Sequence, residues 1–132
     1  MGIIGRVRAA VIGNPELVPQ ELRSRYPELG RLRLRRGGLP PRVGGWALGR
    51  ATVAAITLRR WVFLAPHVPA TPPLLLHELR HLQQFEASPL FPIRYLWASL
   101  RYGYHDNPFE ADARNFSARR LRPPETLSAG DR

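Results

Sequence analysis

"LLLHELRHLQQF", residues 74–85, decides how this chain is read. On an α-helix each residue turns by about 100°. His77 and His81 therefore share one face, a turn apart, while Leu75, Leu79 and Leu82 line the opposite one. The helix is expected to begin at Pro72, behind Thr71 as N-cap, and to reach about residue 86. Two imidazoles at this spacing can converge on one metal ion. Glu78, at the margin of their face, can hold a water there without becoming a ligand. The same pattern also fits an amphipathic core helix whose two histidines are merely exposed. The rest of the chain has to separate these readings.

With 132 residues the chain is long enough for one domain and short for two cores. Residues 1–132 are read as a single α+β domain, with its core over about 45–121 and a loose polar tail over 122–132. There are no cysteines, which excludes disulfide scaffolds, thiolate zinc fingers and thiol nucleophiles. Any metal must be held by His, Asp or Glu. The net charge is +10 and every one of the 20 basic residues is arginine. With abundant Pro, Ala and Gly, this reads first as the codon usage of a GC-rich genome. It also implies weak, salt-sensitive binding to polyanions. No nucleic-acid reading motif accompanies it, so sequence-specific nucleic-acid binding is not expected.

The N-terminal stretch "MGIIGRVRAAVIGNP" lacks the uninterrupted apolar segment of a secretory signal. The best transmembrane candidate, residues 46–66, is broken by Arg50, Arg59 and Arg60. No transmembrane segment is expected, and the expected compartment is the cytoplasm, with peripheral membrane association as the alternative.

Residues 15–29 suggest one or two short helices broken by Pro19 and Pro27. In "RLRLRRGGLPPRVGG" (31–45), Leu32 and Leu34 alternate with arginines. This predicts a solvated edge strand dissolving into a Gly/Pro loop. Thr52–Leu58 and Trp61–Leu64 predict a hairpin around Arg59-Arg60, although the turn lacks Gly or Asn. A second helix is expected over Ile93–Tyr102, its aromatic stripe packed on a neighbouring helix. "GYHDNP" should break it, and Asn107-Pro108 should open a third helix reaching about Leu121.

A zinc site of this type needs a third protein ligand, with one position left open. Glu110, 29 residues after His81, falls in the first turn of the third helix, where a carboxylate is favoured by the helix dipole. Asp112 is the competing candidate; residues two apart on a helix point nearly opposite ways. Glutamate's longer side chain spans the gap between two helices better, which favours Glu110. Tyr102, Tyr104 and His105 are candidate oxyanion donors. His67, among prolines, reads as a surface residue, and Gln83 and Gln84 as buttresses of the histidine helix.

"HELRHLQQF" followed by "NPFEADA" resembles the gluzincins, metallopeptidases with an HExxH helix and a glutamate on a second helix. The nearest likeness is to the minigluzincins and to the HExxH core domain found with contractile injection systems. In small bacterial members a strand pair precedes the HExxH helix, an aromatic helix follows, and an NPFE-like segment comes next. "AITLRRWVFLAP", "IRYLWASLRYGY" and "NPFEADA" fall here in that order, so the resemblance covers roughly residues 45 to 120. It implies a zincin-like α+β fold and zinc-dependent hydrolysis of peptide bonds in a peptide or protein substrate. It further implies His77, His81 and Glu110 as zinc ligands and Glu78 as general base. The chain departs from larger gluzincins in having only about 70 residues before the motif, where those enzymes carry substrate-binding subdomains. The rival expectation is a non-catalytic zincin-like module that binds a partner or anionic surface through its arginine-rich face.

Overall fold

The computed structural model describes residues 2–47 and 54–122. Its hairpin is where the β-prone runs predict it. β3 (Ala55–Leu58) and β4 (Trp61–Leu64) pair antiparallel, with Leu58 opposite Trp61. Thr52 and Val53 of the expected first strand lie outside the described residues. The two-residue turn works without glycine because Arg59 adopts a φ of 60°, at a cost on the order of 1 kcal/mol for an L-residue.

The hairpin belongs to a larger, mixed sheet. β1 (Asn14–Glu16) pairs antiparallel with β2 (Arg33–Arg36), and β2 runs parallel to β4, giving the order β1-β2-β4-β3. β2 is therefore an interior strand, and the expected solvated edge is corrected. Leu34 is buried, as its alternation predicts, but so is Arg35 on the other face. The Arg35 guanidinium donates from Nε to the Ile12 carbonyl at 2.7 Å and lies over the Trp61 ring. Arg36 makes paired contacts with Glu16 and reaches the carbonyl of Ala65. Arginine is tolerated there because each buried donor finds an acceptor.

Two helices were not expected. α1 (Ile3–Ile12) precedes β1, and α3 (Leu39–Ala47) replaces the predicted Gly/Pro loop. Pro40 and Pro41 sit in the first turn of α3, where a missing N–H and a fixed φ cost nothing. Gly13 and Gly38, both at positive φ, let the two segments approach closely: a Cβ on Gly38 would lie 2.6 Å from the Gly13 nitrogen. α2 (Gln20–Arg25) and a 3-10 turn over Pro27–Arg31 fill the Pro-punctuated stretch as anticipated.

α4 (Pro72–Ala87) is the histidine helix. It packs against α6 (Pro108–Leu121), β3, α5 (Phe91–Asp106) and the 3-10 turn. Leu75, Leu76, Leu79 and Leu82 join Leu29, Leu34, Val62 and Leu64 in one core. α5 is interrupted at Gly103, where φ is 79°, matching the break expected at "GYHDNP". Among the described residues no helix is long and apolar enough to cross a membrane.

Two leucines on neighbouring helices give a direct test of this packing. Leu79 is fully buried and Leu100 is 81% exposed. Leu79→Ala should lower unfolding free energy by about 2–5 kcal/mol, and Leu100→Ala by less than about 0.5 kcal/mol, as read by urea titration. Equal effects would contradict the orientation of these helices.

Candidate metal centre

Leucines every three or four residues turn one side of α4 into the core, which leaves His77 and His81 facing α5 and α6. That second side is also covered rather than open: His81 and Glu78 are buried, and His77 is half-buried. α6 starts at Pro108 because Asn107 caps it, its Oδ1 accepting from the Phe109 backbone N–H at 2.9 Å. The Asn107 amide also donates to the Tyr95 carbonyl and to Ser99 Oγ, fastening α5 to the start of α6. The fully buried cap thereby fixes where Glu110, three residues on, projects.

Glu110 meets both histidines. Its Oε2 lies 2.8 Å from His77 Nε2, its Oε1 lies 3.1 Å from His81 Nε2, and the two Nε2 atoms are 3.2 Å apart. Among the described residues these three form a group whose ligand atoms all fall within 4.8 Å of one another. Glu78 and Asp112 are not part of it. Asp112 instead accepts from Arg80 Nε at 2.7 Å and from Gln84 Nε2 at 2.9 Å. Arg114 donates to the His105 carbonyl. The Arg80 hydrogen bond holds the Asp112 carboxyl below its ordinary pKa.

Gln84 connects the two sets. Its amide nitrogen donates to the Phe109 carbonyl and to Asp112, so its oxygen must face His81 Nδ1, 2.8 Å away. An amide oxygen only accepts, so His81 Nδ1 carries a hydrogen and its Nε2 is the atom turned toward Glu110. The reading of Gln84 as a buttress is thus given an atomic form. Gln83 accepts from Arg80.

Tyr95 is the residue that the sequence reasoning missed. Its hydroxyl donates to Glu110 Oε1 at 2.6 Å. Burial first, then the Glu110 charge, push the phenol pKa far above its ordinary value, so it stays a donor. The signal was the i, i+4, i+7 set Phe91, Tyr95 and Ala98, the inward side of α5. Of the oxyanion candidates, Tyr102 and His105 are exposed, and Tyr104 lies close enough to Tyr95 to act on its ionisation. His67 is exposed, as expected. Thr57 was also unforeseen: from β3 its hydroxyl donates to Glu78 Oε2 at 2.6 Å inside the core.

The electrostatics follow from burying carboxylates beside imidazoles. Desolvation raises the Glu110 pKa, but hydrogen bonds from His77 and His81 outweigh it, and the net shift is downward. For His81, burial opposes the charged ring. The Glu110 hydrogen bond, the charges of Glu78 and Glu110 and the Gln84 contact prevail and raise its pKa to about 9. Two imidazole nitrogens and one carboxylate, with the outer nitrogen of one ring already fixed, are a donor set suited to a zinc-type divalent ion. The chain matches no family model, no curated protein and no solved structure. The assignment of this centre therefore stands on the geometry itself.

Two outcomes follow. In a zinc competition assay Glu110→Ala should lose most affinity, while Asp112→Ala, acting through Gln84, should lose about 10–100-fold. The reverse ranking would move the third ligand to Asp112. Glu110 and Glu78 raise the His81 pKa to about 9, which favours the protonated ring at pH 7 in the metal-free protein. Zinc uptake at pH 7 should then release about one proton per ion, and apparent affinity should rise roughly tenfold per pH unit up to that pKa. Calorimetry in buffers of different ionisation enthalpy reads this number; uptake without proton release would contradict the arrangement.

Proposed function

We propose that this chain is a zinc-dependent hydrolase of zincin-like fold that cleaves peptide bonds. His77, His81 and Glu110 would hold the ion, and Glu78 would serve as general base. The observation that carries this reading is the convergence of three ligand atoms from two helices, with a second carboxylate, Glu78, left out of the set on the same helix as both histidines. Glu78 lies close enough for its charge to raise the His81 pKa. Zinc held there supplies Lewis acidity, lowering the pKa of a water towards 7 and polarising a carbonyl.

The chain's own residues divide the remaining work. Thr57 donates to Oε2 of Glu78, which would leave Oε1 to take a proton from water and pass it to the leaving nitrogen. Tyr95 donates to Glu110 and is a positioning residue, because its hydrogen is already committed to that carboxylate. Gln84 holds His81 with Nε2 inward. Solvent reaches the centre on the His77 side, since that side chain is 17% exposed against 3% for Glu110. A peptide is the favoured substrate class because β3, the strand that brings Thr57 to Glu78, lies at the end of the sheet. The outer backbone groups of an edge strand can pair with an extended chain. The resemblance of "HELRH" and "NPFEADA" to the gluzincins points the same way.

The test begins with metal content, expected at about one zinc per chain for a single three-ligand site. Glu78→Gln keeps the size of the side chain and cannot accept a proton. It should retain zinc while turnover of a quenched-fluorescence peptide library falls by ~10²–10⁴. A variant as fast as the parent would place the base elsewhere. Protein that takes up no zinc on titration would end the hydrolase reading.

A further inference from the structure

We infer that the outer face of α5 docks on an anionic lipid bilayer. α5 has two apolar sides. Phe91, Tyr95 and Ala98 turn towards the metal centre, whereas Ile93, Leu96, Trp97 and Leu100 recur at i, i+3, i+4, i+7 on the opposite side. Ile93 is 68% exposed and Trp97 65%, and Leu90 extends the stripe by one turn towards the N-terminus. The expectation that the aromatic stripe packs wholly on a neighbouring helix thus holds for one side of α5 only. A continuous patch of this kind is what a surface helix avoids unless something covers it.

The chemistry around the stripe selects the partner. Arg94 follows Ile93 and Arg101 follows Leu100, so both exposed guanidinium groups fall on the same flank of the stripe, one step round the helix. α5 carries no carboxylate before Asp106, and the chain as a whole is at +10. Leucine, isoleucine and tryptophan facing outward beside arginines is the composition of a helix lying in a lipid interface. Apolar side chains enter the acyl boundary, the indole sits at headgroup level, and the arginines meet lipid phosphates. A second copy fits less well, because pairing two such faces sets four arginines at one interface with no acidic residue of α5 on that side. A nucleic-acid backbone would leave the stripe unburied. This inference does not depend on the ion or on catalysis.

Co-sedimentation of the full chain with vesicles of phosphatidylcholine, with and without 30% phosphatidylglycerol, tests it. Binding should favour the anionic vesicles and weaken at high salt. Trp97→Ser with Leu100→Ser should reduce partitioning at least ~10-fold, and Arg94→Gln with Arg101→Gln about tenfold on anionic vesicles only. Circular dichroism checks that each variant folds, and Leu100→Gln alone provides a milder change at the same face. Parent protein that stays in the supernatant with anionic vesicles overturns the inference. So do α5 variants that sediment as well as the parent. Loss of binding from Ile4→Ser with Val7→Ser on α1, without loss from the α5 variants, would also overturn it. A concentration-dependent dimer abolished by Leu100→Gln, with no vesicle binding, would make the face a self-interface instead.

Discussion

Glu110 is the constraint around which the rest is arranged. A carboxylate that is 3% exposed costs several kcal/mol to bury while charged, on the order given for unpaired interior ions. It stays charged because four groups meet it: two imidazole nitrogens, the Tyr95 hydroxyl and the positive end of the α6 dipole. They come from three separate constraints in the fold. α4 supplies the histidines, α5 the tyrosine, and the Asn107 cap determines where α6 begins. Remove any of these and the carboxylate is left partly unsatisfied.

The same requirement explains the α4–α6 seam. The helices run antiparallel, with Ser117 donating to the Pro73 carbonyl at one end and Gln84 donating to the Phe109 carbonyl at the other. Between these ends lie His77 with Glu110 and Arg80 with Asp112. Arg80 occupies one of the variable positions of the HExxH pattern, and its guanidinium also lies over the Phe116 ring. The motif helix thus carries its chemical residues and its docking residues on adjoining strips. A substitution at Arg80 would reach His81 through Asp112 and Gln84 without touching the three clustered side chains.

What the sequence disclosed were features with a local cause. A 3.6-residue rhythm, Pro at a first helical position and Asn before Pro define α4 and α6 to within a residue or two, and with them the placement of His77, His81 and Glu110. What it concealed depended on distant partners. Arg35 reads as a solvated charge until Ile12 and Trp61 are brought beside it. Asp112 has arginines nearby in sequence, yet it pairs with Arg80, 32 residues away. α3 was hidden by its own composition, since "LPPRVGG" has the letters of a loop although its prolines occupy tolerated positions. Tyr95 was passed over for tyrosines nearer the break. The helix has two apolar sides, and periodicity alone does not say which one faces inward.

Charge balance ties the centre to the kind of ion it suits. Glu78 and Glu110 are both buried, and both act on His81, raising its pKa to about 9. A protonated His81 offsets one of these two carboxylates. A divalent cation among the Nε2 atoms and Glu110 would displace that proton and offset both, leaving the buried cluster near neutrality. A monovalent ion would leave one negative charge uncompensated in a low-dielectric interior. Hard divalent ions such as magnesium prefer oxygen donors and keep most of their waters, which two imidazoles and a single glutamate do not accommodate. The burial of Glu78 thus bears on total charge and would suit any divalent ion, whereas the nitrogen-rich donor set bears on ligand softness and would suit a zinc-like ion better than magnesium.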